Sequence, residues 1–119
     1  MAALRLLIVD DEPNLLDLLR RYLTRVGYEV ETCGDAEEAL ALFQAQPGRF
    51  SMAITDLSLP TFNGEELIER MRLLRPGLPA IITSGYPHVP SAVGVRFLQK
   101  PFLPQMLADA VEGALKGSA

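Results

Sequence analysis

Four acidic residues, one serine and one lysine carry most of the chemistry open to this sequence. Asp10, Asp11 and Glu12 follow one apolar run, Asp56 a second, Ser84 a third and Lys100 a fourth. Carboxylates gathered at one place repel one another unless a cation sits among them. Oxygen donors without thiolate or imidazole suit a hard ion, and Mg²⁺ commonly takes one or two carboxylates together with waters and phosphate oxygens. A carboxylate can also attack a phosphoryl group and become an aspartyl phosphate. Such a transfer needs positive charge on the phosphoryl oxygens and an in-line approach. Lys100, fixed by Pro101 after it, can supply part of that charge, and the Ser84 hydroxyl can donate a hydrogen bond to a phosphoryl oxygen. Taken singly these residues are ordinary: an acidic pair caps a helix, and a lone aspartate or lysine at a strand end is usually solvated. Their joint placement is what points to chemistry.

The elements between them set that placement. Leu4–Val9 is almost continuously apolar, as a strand buried on both faces would be. Pro13 suits the first turn of a helix, Leu15, Leu19, Tyr22, Leu23 and Val26 recur at helical spacing, and Gly27 is placed to end it. Tyr28–Cys33 reads as a second strand. Asp35 with Glu38 resembles a capping box opening a helix that buries Leu40 and Phe43 and stops at Pro47-Gly48. Phe50–Thr55 is the third strand. A loop with Pro60 and Asn63-Gly64 leads to a helix with the stripe Leu67, Ile68, Met71 and Leu74. Leu78–Thr83 and Val95–Gln99 complete five strands. A last helix from Pro104 presents Leu107, Val111 and Leu115 and ends before Gly117. Between the last two strands, Gly85, Pro87, Pro90 and Gly94 leave room for about one helical turn. Strands alternating with helices predict an α/β, doubly wound parallel sheet with right-handed crossovers. Such sheets bind ligands at the carboxyl ends of their strands, where Asp10, Asp11, Asp56, Ser84 and Lys100 all fall.

The chain has 119 residues, enough for one domain and one core, taken as residues 1–119 with the core over 4–116. Its net charge of −4, with no basic cluster, argues against a nucleic-acid surface. No apolar stretch approaches the roughly 20 residues that span a bilayer, and the N-terminus lacks the features of a signal peptide. A single cysteine, Cys33, excludes an internal disulfide and suits the cytoplasm; it reads as a small hydrophobe at a strand end. His88, in the proline-rich connection, is expected to be exposed and inert, and Met52, Met71 and Met106 to fill the core.

Val9-Asp10-Asp11-Glu12-Pro13, Asp56-Leu57-Ser58-Leu59-Pro60 with Asn63-Gly64, Thr83-Ser84-Gly85-Tyr86 and Lys100-Pro101-Phe102 together resemble the receiver domain of response regulators. The resemblance spans nearly the whole chain. It implies a flavodoxin-like sheet of order 2-1-3-4-5, and a histidine kinase or phosphotransfer histidine as phosphodonor to Asp56. It implies Mg²⁺ held by Asp11, Asp56 and the backbone carbonyl of Ser58, with Asp10 supporting through water. Ser84 and Lys100 would hold the phosphoryl group, Phe97 would be an aromatic switch that turns inward, and the Lys100–Pro101 bond would be cis. Ser58 and Tyr86 occupy positions that tune hydrolysis in the family. Thr83 adjoins Ser84; Ser84 is preferred as the hydroxyl because Gly85 follows it.

Only fifteen residues separate Ser84 from Lys100, about six fewer than the family usually has, so the fourth helix is expected to be shortened or missing. In many relatives that helix, with the last strand and helix, forms the surface for dimerisation or output, so the usual dimer is not carried over here. The short connection and the run Gly94–Phe102 resemble receivers of hybrid histidine kinases. The functional expectation is a phosphorylation-controlled module that phosphorylates and dephosphorylates itself at Asp56, acts on no external substrate and signals to an unknown protein target. Two alternatives compete with it: a degenerate receiver serving as an interaction scaffold, and an aspartate-nucleophile phosphatase. The latter usually has two aspartates spaced by one residue after the first strand, which this sequence lacks. A flavin-binding domain of like topology would need a Ser, Thr and Gly-rich loop where Asp10-Asp11-Glu12 stands.

Overall fold

A computed structural model describes residues 3–116; Gly117, expected to follow the last helix, lies outside them. The elements run β1 (Arg5–Val9), α1 (Pro13–Arg25), β2 (Glu29–Cys33), α2 (Ala36–Ala45), β3 (Met52–Asp56), α3 (Gly64–Leu74), β4 (Ala80–Ser84), β5 (Val95–Gln99) and α4 (Pro104–Lys116). The five strands form one parallel sheet in the order β2-β1-β3-β4-β5, the flavodoxin-like arrangement expected.

Successive strand residues face opposite sides of the sheet, and the two cores follow that alternation. Leu7, Val9 and Ala53 point to the face covered by α2 and α3, where Phe43 stacks on Phe50 and meets Leu67 and Met71. Leu6, Ile8, Met52, Ile54 and Ile81 point to the opposite face, under Leu16, Leu19 and Leu23 of α1 and Leu107 and Val111 of α4. β3 and β4 are buried throughout, which is why their sequences lack polar alternation.

Local signals account for the helix ends. Pro13 occupies the first turn of α1, and Gly27 takes φ +113° just beyond its end, a conformation that penalises any residue with a Cβ. The Asp35 side chain accepts the Glu38 N–H at 2.7 Å, and Asn63 accepts the Glu66 N–H at 2.9 Å. Pro47-Gly48 does more than stop α2, since Pro47–Arg49 winds a 3₁₀ turn.

The fourth helix of the usual five is missing, as expected: residues 85–94 hold only bends, a turn and irregular backbone, without the one helical turn for which they left room. Several other expectations are corrected. Val26 and Leu74 fall at helix ends where the stripe has rotated to solvent, and both are exposed. Met106 is exposed as well, because Leu107 takes the inward position of that turn. Phe50 and Leu78 lie outside the strands assigned to them yet are fully buried, anchoring the approach to β3 and β4. Among the described residues no helix is long and apolar enough to cross a membrane.

Candidate functional site

The order of the sheet brings β1 and β3 side by side, so the residues leaving their carboxyl ends share one cleft. Asp10 leaves β1 and its backbone N–H donates to the Cys33 carbonyl at 3.1 Å. Asp56 is the last residue of β3, and Lys100 follows β5, where its N–H reaches the Ser84 carbonyl at 2.7 Å. The Lys100–Pro101 peptide is cis, as the resemblance implied.

Within the cleft the Lys100 Nζ donates to Asp10 Oδ2 at 2.7 Å and to Asp56 Oδ2 at 3.2 Å, with Glu12 Oε1 at 3.8 Å. Asp10 and Asp56 are buried, whereas Asp11 is exposed at the mouth. Their remaining oxygens are partly satisfied by backbone: Glu12 N–H donates to Asp10 Oδ1 at 2.9 Å and Ser58 N–H to Asp56 Oδ1 at 3.3 Å. Burial, and then the neighbouring Asp10 charge, raise Asp56 above the ordinary aspartate range, against the pull of Lys100. Burial alone would lower the Lys100 ammonium, but its hydrogen bond to Asp10 and the charges of Asp10 and Asp56 outweigh that and hold it above its usual value.

Asp10, Asp11 and Asp56 each offer a carboxylate oxygen within 4.8 Å of the others. Three hard oxygen donors at that separation, open to solvent on the Asp11 side, fit a magnesium-sized ion that keeps some of its waters. They do not fit a zinc site, since no thiolate or imidazole joins them.

Ser84 is buried, and its Oγ accepts the Tyr86 N–H at 3.2 Å. Thr83, equally buried, stands opposite Asp56 in the β3–β4 ladder. Tyr86 is exposed at the mouth, with its hydroxyl 3.4 Å from the Ser58 hydroxyl. Phe97 is half-buried on β5, packed against Leu57, Ile68, Ala80 and Ile82. Two contributors were missed in sequence. Gly64 approaches so closely that a Cβ on it would lie 2.4 Å from the Asp56 carbonyl oxygen. His88 is neither exposed nor unpartnered: it is half-buried, with Nε2 2.6 Å from Glu65 Oε2. A glycine opening a helix was a weak signal for the first; nothing in a 23-residue separation signalled the second. Cys33 is buried, and burial together with Glu38 pushes its thiol up to about 12, which makes it an inert core residue.

Residues 6–112 match the family model described as response regulator receiver domain. The transcriptional regulatory protein GlrR of Escherichia coli is 34% identical over 120 residues, covering 96% of this chain and 27% of that protein. The transcriptional regulatory protein FixJ of Bradyrhizobium diazoefficiens is 32% identical, over 92% of this chain and 55% of that protein. The chain thus spans 27% and 55% of these two relatives and as little as 14% of another, the two-component response regulator ORR26 of Oryza sativa. Among solved structures, the receiver domain of the hybrid histidine kinase CckA is 33% identical with a TM-score of 0.85, covering 93% of this chain and 98% of that one. The response regulator protein TrrA of Thermotoga maritima, in complex with Mg(2+)-BeF, is 30% identical with a TM-score of 0.81, again over 93% and 98%.

Proposed function

The chain belongs to the response regulator receiver domain family, and from that premise we propose that it is a phosphorylation-controlled signalling module whose phosphoacceptor is Asp56. The observation that carries this reading is the Lys100 ammonium seated between the Asp10 and Asp56 carboxylates at the β1–β3 switch point. An Asp56 oxygen attacks the phosphorus of a phosphohistidine on a histidine kinase or histidine phosphotransfer domain. The P–N bond breaks, and its electron pair leaves with the imidazole. Asp10, Asp11 and Asp56, with the Ser58 backbone carbonyl, would hold Mg²⁺, which when bound supplies positive charge to the phosphoryl oxygens. That TrrA is solved in complex with Mg(2+)-BeF supports the reading that this chain takes up magnesium and a phosphoryl group.

The chain's own residues do the rest. Lys100 turns from its carboxylate partners to a phosphoryl oxygen, and the Ser84 hydroxyl donates to another. Ser84 and Phe97 are the residues we assign to the change that reports the modification to a downstream protein. Hydrolysis of the aspartyl phosphate returns the domain to its starting state, so no external substrate is turned over.

The test is direct. Incubated with Mg²⁺ and acetyl phosphate, the protein gains the mass of one phosphoryl group, and Asp56→Asn does not. An unmodified wild-type mass, with Mg²⁺ binding confirmed by titration, would sink the proposal and leave the domain as a phosphorylation-independent scaffold.

A further inference from the structure

Residues 85–94 join β4 to β5 without a helix, so their mostly exposed backbone lacks a ladder of its own and turns to solvent and to side chains for its bonds. Two residues of α3 hold it. Glu65, in the first turn of α3, is half-buried, and its Oε2 meets His88 Nε2 at 2.6 Å, the Ser91 N–H at 2.9 Å and the Ser91 hydroxyl at 3.2 Å. An ionised carboxylate only accepts, so the His88 proton lies on Nε2 and all three bonds run from the segment to Glu65. Farther along α3, Arg72 donates to the Val93 carbonyl at 2.6 Å and to the Leu78 carbonyl at 2.9 and 3.1 Å.

The held segment is linked to the phosphoacceptor by two routes. Gly64, bonded directly to Glu65, packs on the Asp56 carbonyl so tightly that no side chain fits, and its N–H donates to the Leu57 carbonyl at 2.9 Å. On the other side, Leu57 packs with Phe97, whose ring centroid lies 6.3 Å from that of His88. The root of the segment is also fixed at the site, where Ser84 Oγ accepts the Tyr86 N–H. A Ser84 hydroxyl that turned to donate to a phosphoryl oxygen would draw on this root, while Glu65 holds the middle of the same segment to α3.

We propose that Glu65, His88 and Ser91 form a clasp that is closed when Asp56 is unmodified and opens when Asp56 carries a phosphoryl group. The segment in place of the missing helix is then the reporting element. This rests on the phosphoacceptor reading and adds the part of the chain that moves. Opening the clasp frees His88 from Glu65, takes its ring from beside Phe97 and leaves Phe97 free to turn inward onto Ile68, Ala80 and Ile82.

Amide hydrogen exchange read by NMR tests both halves. Without a phosphoryl mimic, the Ser91 amide exchanges about tenfold slower in the wild type than in Glu65→Ala, as loss of a hydrogen bond to a charged acceptor implies. The Ile81 amide, inside the sheet, exchanges alike in both and reports an intact fold. Addition of Mg²⁺ and beryllofluoride speeds Ser91 exchange in the wild type toward the Glu65→Ala rate and leaves the variant unchanged. Equal Ser91 rates in the two unmodified proteins overturn the clasp. A shifted Ser58 amide with an unchanged Ser91 rate overturns the coupling alone and leaves Asp56 as phosphoacceptor. A Ser58 amide that does not shift overturns the phosphoacceptor reading and the coupling with it.

Discussion

Lys100 is the residue on which the cleft turns, because one ammonium answers Asp10, Asp56 and, at longer range, Glu12. It does not answer them fully. Asp56 remains raised, first by burial and then by Asp10, so the folded protein binds that proton more tightly than the unfolded chain does. The ionised carboxylate therefore costs stability. The cost sets in as pH rises through the ordinary aspartate range, near about 3.9, and is complete above the raised folded value. Asp56→Asn is thus expected to stabilise the metal-free protein at neutral pH, on the order of 1 kcal/mol. Urea denaturation in a chelator checks this, and an unchanged or lower midpoint would show that the Lys100 contact matters more than the crowding. Asp56, Ser84 and Lys100 were legible in sequence because each ends an apolar run whose partners the alternation of elements brings to one edge. His88 and Glu65 were not. A histidine among prolines and an acid in a helix's first turn each have a sufficient local reading, and only the missing helix brings them together.

At the scale of elements, α3 does the most positioning. Asn63 caps it, and Gly64 lets it start against the Asp56 carbonyl, with Thr55 Cγ2 3.0 Å from where a Cβ would stand. Gly64→Ala must push α3 or the β3 end aside, since backbone cannot yield as a flexible side chain can. A loss of about 2 kcal/mol is expected, together with slower acetyl-phosphate labelling of Asp56. Wild-type labelling in a destabilised Gly64→Ala would mean that α3 shifts without disturbing the cleft. Glu65 offers a pH test of the same helix. Burial raises it, but His88 and Ser91 outweigh burial and hold it below the ordinary glutamate range. A lowered folded value contributes stability above the unfolded pKa, about 4.3, that is lost as pH falls through the folded one. The stability difference between wild type and Glu65→Gln should therefore shrink on acidification below that range; a gap constant from neutral to acid would remove the charge from the account. The helices and strands themselves were legible because their apolar periods are clean. Their ends were less so: Val26 and Leu74 continue a stripe in sequence after the helix has turned it toward water.

For the whole molecule, the face of the sheet under α2 and α3 is unevenly covered from centre to edge. The face under α2 and α3 is sealed around Phe43 and Phe50, whereas the β4–β5 edge has only the small cluster on which Phe97 rests half-buried. Phe43→Ala is expected to cost about 3–5 kcal/mol, the range for a large buried aromatic, and Phe97→Ala clearly less. Comparable losses in urea denaturation would mean that β5 is as much a part of the cooperative core as β3. The alternation of elements made a parallel sheet legible and the resemblance of the motifs supplied its order, whereas the thin cover at this edge follows from residues the sequence does not contain. One property of the cleft bears on how the protein is made. Where a structural zinc site waits for its ion before the chain can fold, this acidic cleft carries its own counter-charge in the Lys100 ammonium. The domain can therefore reach its fold while free magnesium is scarce, and its maturation is decoupled from metal supply.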